Sequence, residues 1–368
     1  MKVTFVNNSM VPYRHYLFKY LFSKYHHELL SSKVLYLAKK ESIREWSDSY
    51  STDDYPYIYL KKITQYRNKK STTSDYIINH SYLKQIKNSD ILFTLGYSYY
   101  TYMVMCIYAK LKGIKTICFC ETNDIDKERP SWKKTAKKIL LNFLYDHFAV
   151  PGINAKKYLL NLGISRDKIS VIGNSAPFSK AQYSSNKNLQ KDNNIIKFLY
   201  VGRFSEEKNL MFALSSLEEI QCKDKEISIT LIGDGPLKSD INNLAKNSHH
   251  KYVISPFTER ENLPDIYKSH DIFILPSASE PWGLVINEAI QFGLAIIASC
   301  NVGAAPELIK NNGEIFNVNS KVDLIDKTYK VINNLSSYKE NSILLSTQYN
   351  LQSNAEKIIE CLSMLKAK

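Results

Sequence analysis

Nowhere in the 368 residues is there an uncharged apolar run of the ~18 residues that a membrane-crossing helix needs. Any membrane contact is therefore expected to be peripheral. The apolar stretch from Val3 to Val6 in MKVTFVNNSM is too short for the core of a secretory signal. The six cysteines (Cys106, Cys118, Cys120, Cys222, Cys300 and Cys361) lack the paired spacing of a metal site. Cys118 and Cys120 alternate inside the apolar run ICFC, which reads as a strand. A reduced, cytosolic protein is the reading that follows. His26–His27 and His249–His250 lie in polar segments, and His15, His80, His147 and His270 stand alone, so no metal is assigned. There is no short-period repeat and no zinc-finger, RRM or KH signature.

The chain does have ample material for cores. At 42.4 kDa, with 44% hydrophobic and 23% charged residues, it suits two domains of about 170 residues each. The 26 tyrosines accompany a composition rich in Lys, Asn and Ile. The net charge of +13 is uneven: residues 1–180 hold 29 Lys and Arg against 14 Asp and Glu, and the remainder holds 20 against 22. One basic half beside a near-neutral one calls for a partner of the first half, whether nucleic acid, an anionic membrane or an acidic substrate.

Short apolar runs alternate with helical segments twice over. VTFVN, KVLYLA, DILFTLG, TICFCE, HFAVPG and KISVIGN are strand candidates in the first half, with a turn at Pro12 and an amphipathic segment over Tyr13–Leu30. IKFLYVG, ISITLIG, YVIS, DIFILP and AIIAS follow in the second half. This alternation predicts α/β architecture with parallel sheets. The expected division is 1–178, a polar linker over 179–194, 195–350, and an amphipathic helix over 351–368 packing back on the first domain. Ligands of such sheets bind at the carboxyl ends of the strands.

Three segments carry chemistry. In SASEPWGLVINEAIQFGLAIIAS, Glu280 and Glu288 have seven residues between them, and Gly283 precedes a helix. The amides of Gly283, Leu284 and Val285 can face an anion. Two carboxylates beside an anion site make sense for a ligand that also bears hydroxyls, which carboxylates accept in pairs. A nucleotide sugar has a diphosphate, a ribose diol and sugar hydroxyls. In YVGRFSEEKNL, Arg203 and Lys208 follow a strand end and suit a diphosphate leaving group. In TLIGDGPL, Gly233 and Gly235 follow a strand and permit close backbone approach to a ligand; a tight turn requires the same residues.

In order and spacing, the VGR…EKN segment, GDGPL, DIFILPS, the Glu280-to-Glu288 segment, GAAPELI and NGEIF resemble the donor half of family 4 glycosyltransferases. The resemblance covers residues 197–318. It implies the GT-B fold, two Rossmann-like domains facing each other across a cleft, and transfer of a hexose-type sugar with retained anomeric configuration. It implies that Arg203 and Lys208 hold the diphosphate and that Glu288 holds the ribose. Glu280 and the backbone at Gly283–Val285 would hold the sugar and phosphate, with no metal and no other cofactor. NSMVPYRHYLF resembles the opening loop of one branch of the family, which points Arg14 at the acceptor side, against a plain surface arginine. Many members place a His after the strand equivalent to TICFC; this chain has Glu121, Thr122, Asn123 and Asp124. Glu121 is the candidate for contacting acceptor or sugar, against a helix-capping role. The Asp124–Asp126 pair, spaced like another class's metal motif, reads as a polar loop.

PSWKKTAKKILLNFLYDHFAV, residues 130–150, reads as a basic amphipathic helix with Lys133, Lys134, Lys137 and Lys138 on one side. Such a helix suits an anionic membrane surface, against a solvated lysine face over a packed core. The expectation is a peripheral enzyme on the inner face of the plasma membrane. It would extend a lipid-linked saccharide acceptor in O-antigen, lipopolysaccharide, capsule or exopolysaccharide synthesis and bind no nucleic acid. A nucleotide-sugar epimerase or hydrolase of the same fold and a basic nucleic-acid-binding protein are the alternatives.

Overall fold

The computed structural model describes residues 1–39, 54–67, 75–124, 131–176, 178, 194–258 and 260–367. They fall into two compact units, Met1–Pro177 with Leu351–Lys368, and Phe178–Asn350.

The first unit is built on strands β1 (Val3–Asn7), β2 (Lys33–Tyr36), β3 (Tyr57–Tyr59), β4 (Lys62–Arg67), β5 (Asp75–Asn79), β6 (Ile91–Thr94), β7 (Lys115–Phe119), β8 (His147–Val150) and β9 (Ile169–Val171). Seven of them form a parallel sheet of order β3-β2-β1-β6-β7-β8-β9, and β4 and β5 make a separate antiparallel pair. VTFVN, ILFT and HFAV are buried throughout, the pattern of strands covered on both faces. Alternation along β1 sends Val3 and Phe5 to one core and Val6 to the other.

One core takes its helical residues from α1 (Pro12–Lys24) and from α13 (Leu351–Lys366), the last helix of the chain. Leu17, Phe18 and Leu21 meet Ala355, Ile358, Leu362 and Leu365 there. Pro12 opens α1, where its missing N–H costs nothing. The helix stops at Lys24, six residues before the end of the amphipathic stretch. Asn354 of α13 is buried and donates to the carbonyl of Ile172 at 2.8 Å. The opposite core is covered by α3 (Tyr100–Leu111), α4 (Ser131–Leu144) and α5 (Ile153–Asn161), while α2 (Leu83–Ile86) is a single turn.

The second unit has strands β10 (Ile195–Val201), β11 (Glu226–Ile232), β12 (Lys251–Ser255), β13 (Ile272–Leu275), β14 (Ala295–Ser299) and β15 (Gly313–Phe316). All are parallel, in the order β12-β11-β10-β13-β14-β15. Its helices are α6 (Leu210–Leu217), α7 (Lys238–Lys246), α8 (Leu263–Lys268), α9 (Leu284–Gln291), α10 (Ala305–Leu308), α11 (Lys321–Asn333) and α12 (Leu335–Ser346). The chain builds outward from β10 in one direction and then from β13 in the other, so β10 and β13 flank the topological switch point. β1 and β6 do the same in the first unit. The expected linker lies outside the described residues, apart from Asn194 just before β10. Among the described residues no helix is long and apolar enough to cross a membrane.

Candidate functional site

In the second unit the charged residues gather where the switch point places them. Arg203 and Lys208 follow β10, and Glu280 follows β13. Lys208 ends a single 3-10 turn, Glu206–Lys208, and its Nζ is ion-paired with Glu280 Oε2. Their side chains are only 15% and 16% exposed. The two loops are tied through the backbone, Ala278 N–H donating to the Glu207 carbonyl at 2.9 Å. Arg203 is more open and pairs with Glu207 at 2.8 Å. Burial raises the Glu207 carboxyl pKa, but its own amide, the neighbouring Ser205 hydroxyl and the charges of Arg203 and Lys208 bring it below the usual range.

The Glu280 loop is held against the segment after β14. Glu280 N–H donates to Asn301 O at 3.2 Å, Gly303 N–H to Glu280 O at 2.9 Å, and Ala304 N–H to Trp282 O at 2.9 Å. Trp282 is buried and donates Nε1–H to Asn287 Oδ1 at 2.9 Å. Gly283 has φ 99°, and a Cβ there would stand 3.0 Å from Leu275 and 3.1 Å from Val302. Only glycine fits this bend, which turns the chain into α9. The amides of Gly283, Leu284 and Val285 stand at the helix start, where no intrahelical carbonyl is available to them. Further along α9, Glu288 Oε2 accepts from the Tyr267 hydroxyl at 2.7 Å. Tyr267 is buried, its ring stacked on Phe292 at 5.4 Å between centroids.

At Gly233 the close approach has an internal source. What comes close to it is the protein's own backbone: a Cβ at Gly233 would lie 1.9 Å from Gly202 O, and one at Gly235 would lie 2.4 Å from Phe204 O. The packing of the β10 and β11 loops by itself requires glycine at both positions.

The first unit holds a second cluster at the carboxyl ends of its strands. Arg14, in the first turn of α1, is 5% exposed. Its guanidinium lies over Phe119, 4.4 Å from the ring centroid, and over Tyr13 at 5.2 Å. It is not a surface arginine. Its Nη2 donates to Glu121 Oε1 at 3.1 Å, and Asn174 Nδ2 donates to the same oxygen at 3.0 Å. Glu121 keeps 39% of its side chain exposed. Among the described residues it opens no helix, and α4 begins ten residues on at Ser131. Ile125 and Asp126 lie outside the described residues, while Asp124 accepts from Asn161 at 2.8 Å.

The lysines of α4 divide. Lys133, Lys134 and Lys138 are exposed. Lys137 is a correction: its ammonium donates to the hydroxyls of Tyr97 and Tyr158 and sits 4.5 and 5.0 Å from the centroids of their rings. The helix turns that position back onto its own unit, so it is not part of an outward lysine face.

Sequence reasoning missed Tyr267 and Asn174. Their partners lie 21 and 53 residues away, and an isolated Tyr or Asn carries no local signal. The support from Asn301–Ala304 overlaps the GAAPELI motif only at Gly303 and Ala304, whose amides brace the Glu280 loop.

Two parallel sheets with charged side chains at their switch points define a class of fold, and known structures agree. The crystal structure of Anabaena Alr3699/HepE in complex with UDP and glucose matches with a TM-score of 0.75 at 15% identity, over 99% of this chain and 100% of that one. The lipopolysaccharide outer core galactosyltransferase WaaB, in its apo form, matches at 0.71 and 14% identity, over 99% of both. The fold is GT-B. Residues 182–365 match the family Glycosyl transferases group 1, and the chain belongs to that family. It is similar to the sulfoquinovosyl transferase SQD2 of Arabidopsis thaliana, 32% identical over 134 residues, 35% of this chain and 25% of that protein. It is also similar to the Escherichia coli UDP-Gal:alpha-D-GlcNAc-diphosphoundecaprenol alpha-1,3-galactosyltransferase, 31% identical over 209 residues, 52% of this chain and 53% of that protein. The matches thus span about half or less of these relatives' own lengths.

Proposed function

We propose that the chain is a retaining glycosyltransferase of family 4. It transfers a hexose-type sugar from a nucleoside diphosphate sugar to a lipid-linked saccharide during surface polysaccharide synthesis. The observation that carries this is the Lys208–Glu280 pair at the switch point, with Glu288 and the start of α9 in the same unit. Without ligand the cation and carboxylate satisfy one another. A diphosphate draws Lys208 away as its counterion, and the freed Glu280 accepts from sugar hydroxyls. Arg203 reinforces the charge neutralisation, and the amides of Gly283–Val285 hold a phosphate oxygen. Glu288, oriented by the Tyr267 hydroxyl, accepts both hydroxyls of the ribose. The leaving diphosphate is thus stabilised as its charge develops. The acceptor hydroxyl attacks from the face the diphosphate leaves, a phosphate oxygen takes its proton, and configuration is retained. Residues of this chain supply the positive charge at each step, so no metal is invoked.

The E. coli relative carries UDP-Gal and diphosphoundecaprenol in its name, and HepE was solved with UDP; both support this reading of donor and acceptor class. The test is a thermal-shift panel of UDP, GDP, TDP and CMP with their sugar conjugates, first without metal and then with magnesium. A ligand that binds only the folded chain raises the midpoint, so one nucleoside diphosphate should raise it equally in both conditions. No shift from any nucleotide would overturn the proposal, and a shift only with magnesium would overturn its metal-free form.

To Glu121, held by Arg14 and Asn174, we assign the role of accepting from the acceptor hydroxyl. Glu121→Gln keeps the shape and removes the charge. It is expected to lower transfer by about tenfold or more, with the UDP-induced shift unchanged. Full transfer activity would remove Glu121 from the acceptor side.

A further inference from the structure

Helices α3 and α4 follow successive strands, β6 and β7, of one parallel sheet in which β6, β7 and β8 are neighbours. Right-handed crossovers place both helices on the same face, and their inner residues Tyr102, Met105, Cys106, Leu141 and Leu144 enter one core. The helices also pack against each other. Lys137 of α4 meets Tyr97 just before α3, and Lys110 near the end of α3 pairs with Asp146 just after α4. The two helices therefore run side by side in the same direction, with their outer faces turned the same way.

Those outer faces are apolar. Tyr100, Ile107 and Leu111 on α3 are 61%, 43% and 78% exposed. Trp132, Ile139 and Phe143 on α4 are 68%, 65% and 59% exposed, with Leu140 beside them. Each trio is spaced by seven and then four residues, which is one stripe along a helix. An apolar surface spread over two adjacent helices is unlike scattered single exposed residues and marks a docking surface. Its charge is equally one-sided. The 12 residues of α3 and the 14 of α4 include five Lys and no Asp or Glu. Lys133, Lys134 and Lys138 are exposed among the apolar residues, the first with its ammonium 5.3 Å from the Trp132 ring centroid.

We infer that the outer faces of α3 and α4 together form a bilayer-docking surface. Its apolar stripes enter the interface between headgroups and acyl chains, and its lysines bind anionic headgroups. The charge pattern selects this occupant. Lysines on two helices that themselves carry no Asp or Glu complement anionic lipid, whereas a two-fold contact with a second copy would bring like charges together. A Trp flanked by Lys suits the boundary between water and acyl chain. Tyr100 and the start of α4 lie at the carboxyl edge of the sheet, the edge that carries Arg14 and Glu121. A docked surface would therefore present that edge toward a lipid-borne substrate. The inference rests on the exposed faces alone and does not require the donor chemistry proposed above.

The test uses the full chain and sedimentation with vesicles of phosphatidylcholine, alone or with about 30 mol% phosphatidylglycerol. Binding should be about tenfold or more stronger on the anionic vesicles. Two separate pairs, Ile107→Ser with Leu111→Ser and Ile139→Ser with Phe143→Ser, should each reduce it about tenfold. So should Lys133→Glu with Lys134→Glu and Lys138→Glu. Trp132 emission should shift to the blue on binding and be quenched by brominated lipid, a signal lost in Trp132→Phe. All the substituted side chains are exposed, so folding is retained, and the unfolding midpoint of each variant without nucleotide reports it. Unchanged binding in the α3 pair overturns the two-helix surface, and no vesicle binding overturns the inference entirely. Concentration-dependent dimers abolished by the same substitutions would assign the surface to a second copy and overturn it as well. Since UDP binding is read separately, failure here and failure of the donor-site proposal are distinguishable.

Discussion

Lys208→Met is expected to lower kcat by about two to three orders of magnitude, the typical cost of removing one preorganised group that meets developing charge. The leaving diphosphate gains negative charge as its bond to the sugar breaks. Lys208 is the partly buried cation at the switch point, only 15% exposed, so water substitutes for it poorly. The same change has a second, separable consequence. It leaves the Glu280 carboxylate, 16% exposed, without its cation, and ligand-free stability should fall by about 1–3 kcal/mol. Adding Glu280→Gln removes the orphaned charge, so the double variant should recover stability while remaining inactive. The measurements are thermal unfolding without nucleotide and turnover with a donor identified by the shift panel. Turnover close to that of the unsubstituted protein would make the pair a structural tie between two loops.

The second large effect is on donor affinity. Glu288→Gln is expected to weaken nucleoside diphosphate binding about 10- to 100-fold, in line with the ~1.5–3 kcal/mol carried by hydrogen bonds to a charged group. A carboxylate accepts from both ribose hydroxyls at once, while the amide presents one acceptor and one misplaced donor. Tyr267→Phe probes the same geometry more gently. It removes the hydroxyl that donates to Glu288 Oε2 but keeps the ring stacked on Phe292, so affinity should fall only a few-fold. Calorimetric titration with UDP measures both. Equal affinity in Glu288→Gln would take the ribose away from α9. A Tyr267→Phe loss as large as that of Glu288→Gln would mean that the tyrosine does more than orient the carboxylate.

The alternation of apolar runs made the parallel sheets legible, because strands covered on both faces must be apolar along their length, as in VTFVN and IFIL. The strands that escaped notice are of another kind. YIY, KITQYR and DYIIN mix polar and aromatic residues, and GEIF opens on Gly and Glu. YIY and GEIF sit at sheet edges, and KITQYR and DYIIN form a separate pair, so none needs a continuous apolar run. In the second unit's cluster, Arg203, Lys208, Glu280 and Glu288 stood out because each lies in a local pattern of Gly, Pro and charge. Tyr267 and Asn174 act through partners distant in sequence, which no local pattern encodes. Lys137 shows the opposite failure. Its spacing matches that of its neighbours, but two tyrosines from other segments capture it, and helical periodicity cannot foresee that.

The placement of α13 bears on how members of this family could be recombined. Leu351–Lys366 lies beyond the second unit in sequence, yet its apolar side completes a core of the first. A chimera that joined one parent up to residue 177 to everything downstream from another would mismatch that core, with foreign side chains opposite Leu17, Phe18 and Leu21. The exchangeable cassette is the internal stretch Phe178–Asn350, spliced at both ends like an insert so that each α13 stays with its native partner.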